Sequence, residues 1–456
     1  MASVSSLGVG TGIDLNSILT KLVAVESIPL NQLTTKQNSY KSQLSAFGRI
    51  QSAVEKLASA SKAIATETGF KGYQATVRDT DYATASATSY ASAGSFSLRV
   101  DQLAQANKLL SGANPSIAAG SLTIELGDVS SGSFVSKSGT SPVTINFTGS
   151  TIEDLRIAIN GAQAGVKATI VNGTGGKQLM LTSDETGKTN TIKLTGTAGL
   201  SDFSFRSLPA GTAFTEKAVA QDAQAEVDGV AVSSSTNTIT DALTGVTVTV
   251  KKAHDPLDVT DMTTLDIGND TAGMTTKVKD FVTAWNELNT LTKDLTKYDT
   301  ANKTAAALTG DGSVSNLNRQ LRSLLSSPPA GVSATYPTMA SLGISLQSDG
   351  SLKLDETALS SAISNNLSAV STSITAFGAA FQSTANAMTA TGGVVANRED
   401  SLNRIIKDFD SRKEAMQRRI DAVQARYEKQ FTALDKLMGQ MQTQSSYLTQ
   451  QLAKLG

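Results

Sequence analysis

The sequence predicts an α+β, multi-domain chain. A long helical coiled-coil stalk is drawn from both termini, with a helical-bundle shoulder and β-rich head domains inserted between. Three observations support this. Apolar residues near the C-terminus recur at heptad spacing, a similar pattern occupies the N-terminal region, and the middle alternates apolar and polar residues between Gly, Ser, Thr and Asn. At 456 residues, the chain has room for roughly two to four domains.

At the N-terminal end, Leu15, Leu19, Leu22 and Val25 begin an amphipathic helix that Asp14 caps, and Pro29 breaks or kinks it. Leu30, Leu33, Tyr40, Leu44, Phe47, Val54, Leu57 and Ile64 continue at spacings of three, four or seven, the period of a helix seam. Between Met1 and Tyr40 only Asp14, Lys21, Glu26 and Lys36 are charged. The stretch Gly8-Val9-Gly10-Thr11-Gly12 is superficially like a dinucleotide loop, but no strand precedes it, so a flexible leader is the expectation.

From Tyr73 to about Asp270 the texture is that of strands and turns. Alternation is clean over 95–100, 121–126, 143–147 and 245–250. One short helix interrupts them, capped by Thr151, with Glu153 and Asp154 favouring its N-terminus and Leu155, Ile159 and Ala162 as its buried face. A strand over 166–171 then turns at Asn172-Gly173 into Gln178-Leu179-Met180-Leu181.

Helical periodicity returns near Thr276, where Val278, Phe281, Val282, Trp285, Leu288, Leu291 and Leu295 share a face. A second helix covers 313–325 and stops before Pro328-Pro329. A hairpin over 343–354 turns at Asp349-Gly350, and Leu359, Ile363, Leu367 and Val370 mark another helix. After Gly392-Gly393 comes the final long helix, with Asn397 as its expected cap.

That helix carries two apolar rows. Ile406, Ile420, Tyr427, Leu434, Met441, Leu448 and Leu455 form one, with Lys413 its single polar member. Leu402, Phe409, Met416, Val423 and Leu437 form the other, which Gln430, Gln444 and Gln451 interrupt. Such rows make the seam of a coiled coil or of a bundle helix; a hairpin folded back on itself is the alternative. Residues 397–436 hold ten Arg or Lys and eight Asp or Glu, whereas 437–456 hold Lys454 alone. A helix that sheds its charges but keeps its apolar rows is suited to burial in an assembly. The charge-poor N-terminal helix is its natural antiparallel partner.

Composition narrows the function classes. With no Cys, there is no disulfide, thiol nucleophile or thiolate metal site. His254 is the only His, read as a solvated loop residue, which leaves an acyl-transfer triad without a plausible base. Gly187-Lys188-Thr189 is like the end of a phosphate loop, but Thr182 stands where the first Gly is needed and a strand follows, so it reads as a hairpin turn. Asp258, Asp261 and Asp266 lack the twelve-residue calcium pattern. A net charge of −1 makes no case for nucleic acid. No apolar run is long enough to span a membrane, and no Sec signal peptide is expected. No catalysis and no cofactor are expected.

Several stretches carry a resemblance. They begin with Gly12-Ile13-Asp14-Leu15-Asn16-Ser17-Ile18, Leu22-Val23-Ala24-Val25-Glu26 with Pro29-Leu30, and Val100-Asp101-Gln102-Leu103-Ala104-Gln105-Ala106. Thr151-Ile152-Glu153-Asp154-Leu155, Gly165-Val166-Lys167-Ala168-Thr169 and Leu181-Thr182-Ser183-Asp184-Glu185-Thr186-Gly187 are similar to a repeat shared by flagellins and hook proteins. Ala220-Gln221-Asp222-Ala223, Val227-Asp228-Gly229, Phe281 to Leu288, Leu342-Gly343-Ile344, Phe431 to Asp435 and Ser446 to Leu452 follow. In this order, over nearly the whole chain, they resemble the flagellar filament cap protein family, FliD, also called flagellar hook-associated protein 2. One departure is Trp285, where the family more often has Tyr.

The resemblance implies a structural assembly factor, secreted and extracellular, at the distal tip of the bacterial flagellum. It would form a ring of about four to six copies of itself, with flagellin, hook–filament junction proteins and an export chaperone as partners and host mucin as a further partner of some members. The alternative function is a surface adhesin that binds mucin or glycans through the β-rich head. Texture, charge and resemblance together divide the chain into six parts: an N-terminal leg (1–41), an N-terminal shoulder helix (42–72), a first head domain (73–109 and 216–270), a second head domain with the flagellin-like repeat (110–215), the helical shoulder (271–436) and a C-terminal leg (437–456). In the leg, Leu434, Leu437, Met441, Leu448 and Leu452 are expected to pair with Leu15, Leu19 and Leu22.

Overall fold

A computed structural model of the chain describes residues 14–207, 210–258 and 260–453. The Gly8–Gly12 stretch, Lys454 and Leu455 lie outside them. Two compact units emerge: one takes in both ends of the chain, up to Phe70 and from Thr275 onward, and the other is Lys71–Met274.

Helix α1 (Leu15–Glu26) starts as its sequence dictates, with Asp14 Oδ1 accepting from the Ser17 N–H at 2.9 Å. Ser27 separates it from α2 (Ile28–Ile64), in which Pro29 occupies the first turn, the one place where its missing N–H leaves the helix ladder intact. A short α3 (Glu67–Phe70) ends this segment.

The second unit contains two apolar cores, here called its first and second lobes. Strands β1 (Tyr73–Val77), β2 (Ala83–Ala87) and β3 (Gly94–Gln102) open the first lobe. The chain then builds the second lobe from β4 (Lys108–Ser111), β5 (Gly120–Asp128), β6 (Val135–Ser136), β7 (Val143–Phe147), α4 (Ile152–Gly161), β8 (Val166–Gly173), β9 (Gly176–Ser183), β10 (Thr191–Gly196) and β11 (Phe214–Ala218). It returns to the first lobe with β12 (Ala223–Val227), β13 (Val230–Ser234), β14 (Thr238–Leu243), β15 (Val246–Val250) and β16 (Thr263–Asn269).

In the first lobe one sheet runs β1-β16-β3-β12-β13 and another β14-β15-β2, all antiparallel. Their shared core is built largely of Ala and Val, with Leu98, Leu265 and Ile267; small side chains suit two closely facing sheets. The second lobe pairs β11-β4-β9-β8 with β10-β5-β6, β7 adding to β5. There α4 presents the expected Leu155 and Ile159, both fully buried, each contributing about 1.5–3 kcal/mol by leaving water. Its Thr151 cap accepts from the Asp154 N–H at 3.1 Å.

The Asn172-Gly173 turn is corrected: both residues belong to β8, and the β8–β9 turn is Thr174-Gly175. Gly187-Lys188-Thr189 is not a hairpin turn either, because β9 and β10 lie in different sheets; it is a crossover.

Strand β8 is an edge strand, and Asn160 of α4 covers part of that edge. Its Oδ1 accepts from the Ala168 N–H at 2.7 Å and its Nδ2 donates to the Ala168 carbonyl at 2.9 Å, so a side-chain amide stands in for a neighbouring strand. Asn160→Ala is expected to destabilise this lobe by about 2 kcal/mol and to raise self-association through the bared edge. Urea unfolding and light scattering check both.

The helical unit resumes along α5 (Thr271–Thr296) and continues through β17 (Tyr298–Asp299), β18 (Thr304–Ala305), α6 (Gly312–Ser326), β19 (Ile344–Leu346), β20 (Leu352–Leu354), α7 (Glu356–Thr389) and α8 (Val394–Leu452). Its core joins Phe47, Ile50, Val54 and Leu57 of α2, Phe281 and Trp285 of α5, Phe377 and Phe381 of α7, and Leu402 of α8. Phe381 stacks edge-on to Trp285 at 5.8 Å, and Trp285 Nε1 donates to the Gly350 carbonyl at 2.9 Å, so the buried indole is satisfied. Asn366 leaves helical geometry (φ −154°, ψ 74°) and kinks α7, its Oδ1 capping the second half at the Ala369 N–H. At Gly378 the end of α2 comes so close that a Cβ would lie 2.7 Å from the Ile64 carbonyl oxygen.

Candidate functional site

The surface singled out by sequence is the distal part of α8 with α1. Helix α8 runs 59 residues without a break, roughly 88 Å at the rise of an α-helix. It starts three residues before the predicted cap. Gly393 is its N-cap residue, and Asn397 sits inside the first turn, with Nδ2 donating to the Gly392 carbonyl. Burial of Val395 draws that first turn onto the core. The helix passes through Lys436 unbroken, so the change in charge there is a change of surface and not of backbone.

Along its proximal part, α8 lies antiparallel to α2. The two predicted rows form the seam: Leu402 and Ile420 are buried, and Ile406, Phe409, Lys413, Met416, Val423 and Tyr427 are half-buried, as is Phe431, which belongs to neither row. Tyr40 packs on Phe409 at 5.5 Å. The one polar member of the row, Lys413, has a counterpart that the sequence reading missed. Gln37 of α2 is 1% exposed; its Nε2 donates to Asp410 Oδ1 at 2.6 Å and to the Ile406 carbonyl at 3.3 Å, and its Oε1 accepts from Lys413 Nζ at 3.1 Å. The signal was available: Gln37 falls on the row of Leu30, Leu33, Tyr40 and Leu44 at spacings of three and four. A single polar layer fixes the register of an apolar seam at some expense of stability. Gln37→Leu is expected to keep helical stability within about 1 kcal/mol, while Gln37→Ala loses about 2 kcal/mol; denaturant unfolding followed by helical circular dichroism separates them.

Ion pairs within α8 join residues four apart. Arg412 pairs with Asp408 at 2.8 Å and Arg418 with Glu414 at 3.9 Å, exposed pairs worth little on their own. The Glu399 carboxyl is pushed up by burial first, and then by Asp400 and Glu55.

Beyond Phe431 the seam ends. Leu434, Leu437, Met441, Leu448 and Leu452 are 44, 54, 56, 60 and 70% exposed. Met438 and Tyr447, which the row count passed over, are exposed as well. On α1, Leu15 is buried, Leu19 and Leu22 are half-buried, and Ile18 and Val25 are exposed. Gln37 stands opposite Asp410 and Lys413; carried down the antiparallel pair, that register sets Leu15 level with about Leu434. Residues 437–452 therefore reach past Asp14 and have nothing opposite them among the described residues. The structure brings Leu15, Leu19 and Leu22 to α8, but does not bring them to Leu437, Met441, Leu448 or Leu452.

Three polar side chains of this end bond within their own helix. Thr443 and Thr449 hydroxyls donate to the Gly439 and Ser445 carbonyls of their own helix at 2.8 Å, and Gln451 Nε2 donates to Tyr447 Oη at 3.0 Å. Side chains bonded in this way offer few directional demands to a neighbour. What remains is a helical surface without charge over 437–453, with exposed Leu and Met side chains set among Gln and Ser, and a stretch of this length is marginal alone in water.

His254 needs correction. It is 3% exposed, not solvated: the ring stacks on Tyr82 at 3.7 Å, and Nδ1 accepts from the Val100 N–H at 2.9 Å. It is a packing residue of the first lobe. Among the described residues no cluster of His, Asp and Glu is placed to hold a metal ion, and no helix is long and apolar enough to cross a membrane.

Comparison with known proteins follows the same outline. Residues 11–107 match the model for the flagellar hook-associated protein 2 N-terminus, 220–443 that for its C-terminus, and 121–185 the flagellin hook IN motif. The chain is similar to flagellar hook-associated protein 2 of Escherichia coli K12, 34% identical across 99% of this chain and 98% of that protein. It is also similar to A-type flagellar hook-associated protein 2 of Pseudomonas aeruginosa, 30% identical across 98% and 97%. The crystal structure of the D1-D2-D3 domains of the Escherichia coli flagellar cap protein FliD superposes with a TM-score of 0.61 at 30% identity, covering 78% of this chain and 99% of that one.

Proposed function

Since the chain belongs to the flagellar hook-associated protein 2 family, the structural flagellar cap proteins, we propose that it caps the distal end of the bacterial flagellar filament, where it promotes polymerisation of exported flagellin and prevents its loss. The observation that carries this reading is the uncharged, apolar end of α8, whose Leu437, Met441, Leu448 and Leu452 stand exposed. An apolar surface of this kind on a free subunit marks an interaction site.

The mechanism is differential packing, without bond chemistry. A cap that shifts as subunits are added needs contacts of similar energy at each position, because unequal affinities would trap it in one state. An uncharged helix with exposed Leu and Met side chains, and with Thr443, Thr449 and Gln451 bonded internally, supplies such contacts. In this reading 437–456 and 1–41 are the leg, 42–72 and 271–436 the shoulder, and 73–109 with 216–270 and 110–215 the head domains. Leu434, Leu437, Met441, Leu448 and Leu452 become buried in the assembled state, where Leu19 and Leu22 are covered further and Leu15 stays buried. The chain acts outside the cell at the filament tip, as a closed ring of about four to six copies, and meets flagellin, the hook–filament junction proteins and an export chaperone. The mucin- or glycan-binding alternative draws no support from the relatives' names. Electron microscopy and light scattering of the purified chain test the reading: rings and a concentration-dependent mass are expected, and a monomer at every concentration without rings would count against it.

A further inference from the structure

The crossover after β9, singled out in the sequence for its likeness to a phosphate loop, is placed where the two lobes of the β-rich unit meet. The chain passes between the lobes twice, and the two passages are paired. Gln105 and Gln221 exchange both backbone hydrogen bonds, at 2.9 and 3.1 Å, and Gln221 Nε2 donates to the Leu103 carbonyl at 3.1 Å. A pair of adjacent strands is a hinge: it holds the lobes together but leaves rotation about itself free.

The crossover adds one contact away from that axis, to Ser235, and others along it, to Gln105 and to Asp222 beside Gln221. Thr186 Oγ1 donates to the Ser235 carbonyl at 2.7 Å, in the loop between β13 and β14 of the first lobe. The Lys188 N–H donates to Asp222 Oδ1 at 2.9 Å, and Lys188 Nζ lies 3.7 Å from Asp222 Oδ2. The Gly187 N–H reaches the Gln105 carbonyl at 3.3 Å. Gly187 has φ +100°, and a Cβ there would come within 2.7–2.9 Å of Ser235 Cβ, Cα and O. Backbone conformation and close approach both demand glycine. The loop amide that a phosphate loop would aim at an anion is aimed here at the Asp222 carboxylate.

We propose that Thr186-Gly187-Lys188 is a latch that locks the second lobe in one orientation on the first, so that the two present a single rigid surface. A chain without Cys takes spin labels cleanly at Ile157→Cys and Val230→Cys, exposed positions on the second and first lobes. In the full chain, double electron–electron resonance is expected to give one narrow distance distribution. Gly187→Val is expected to broaden it at least about twofold, and Thr186→Val with Asp222→Ala to do likewise, since each lost hydrogen bond shifts an opening equilibrium about fivefold to tenfold. The second variant keeps the glycine and so separates unlatching from local strain; circular dichroism unchanged from wild type shows that both lobes remain folded. A distribution as narrow as wild type in the folded double variant would overturn the proposal.

Discussion

Deletion of residues 437–456 is expected to abolish filament growth in a strain that relies on this chain as its cap, with filament length falling to that of a capless strain and exported flagellin accumulating in the medium. The deletion is also expected to leave the free subunit nearly as stable as before. Apolar side chains that are 38–70% exposed and have no apolar partner among the described residues contribute little to the monomer, and removal of such residues usually changes stability by no more than about 0.5 kcal/mol. Loss of activity without loss of stability is the signature of a surface used only in the assembly. A milder version, Leu437→Lys with Met441→Lys and Leu448→Lys, should give the same phenotype, because a charge in a buried apolar contact costs several kcal/mol unless it is paired. Filament length by electron microscopy, with the thermal unfolding of the purified variants, measures both sides.

The largest expected effect on stability lies in the β-rich unit, at Asn107. This residue is fully buried. Its Nδ2 donates to Glu216 Oε1 at 2.6 Å and to the Ala218 carbonyl at 2.9 Å, its Oδ1 accepts from the Ile192 N–H at 3.0 Å, and its own N–H donates to Ser183 Oγ at 2.9 Å. One side chain thus ties the start of β4 to the start of β10 and the end of β11. Asn107→Ala strands the Ile192 amide and the Ala218 carbonyl and leaves the Glu216 carboxylate to Arg206 alone, and is expected to cost about 3–5 kcal/mol. At about 2–4 °C per kcal/mol for a unit of this size, the melting transition of the β-rich unit should fall by roughly 10 °C, while that of the helical unit stays in place. Asn107→Leu should do no better, since the stranded partners remain. Differential scanning calorimetry of the full chain reads both transitions, and a shift of less than about 2 °C would contradict this view of Asn107.

The parts of the fold that sequence reveals are those with a local cause. The heptad rows of α2 and α8 show because helix period and burial coincide residue by residue, and the cap at Asp14 shows because capping is settled within four residues. Strands such as β7, with its Val143–Phe147 alternation, show for the same reason. Errors arose where distant residues decide. His254 reads as a solvated residue until Tyr82, far away in sequence, closes over it. The start of α8 lay hidden because Val394 and Val395 after two glycines look like loop, and only burial of Val395 in the helical core makes them helix. The β8–β9 turn slipped by two residues because Gly173, Gly175 and Gly176 crowd the same stretch and strand pairing alone chooses among them.

At the candidate surface, composition was the informative level. The loss of charge after Lys436 was visible in the sequence, and so was the polar interruption of the seam at Lys413. Its partner Gln37 required the antiparallel register. The partners proposed for Leu437, Met441, Leu448 and Leu452 lie beyond what one subunit can display, since an assembly contact has no local signature in a single chain.

The central claim is that this end of α8 is open in the free subunit and buried at the filament tip. A chain without Cys allows a direct measurement: Leu448→Cys, with Arg412→Cys on the exposed charged stretch as reference, and the rate of thiol labelling compared between free subunits and caps on filaments. The expected result is rapid labelling at both positions in the free subunit, with Leu448→Cys slowed on the filament by at least about tenfold relative to the reference. Equal labelling of Leu448→Cys in the two states would contradict the assignment of this surface to assembly.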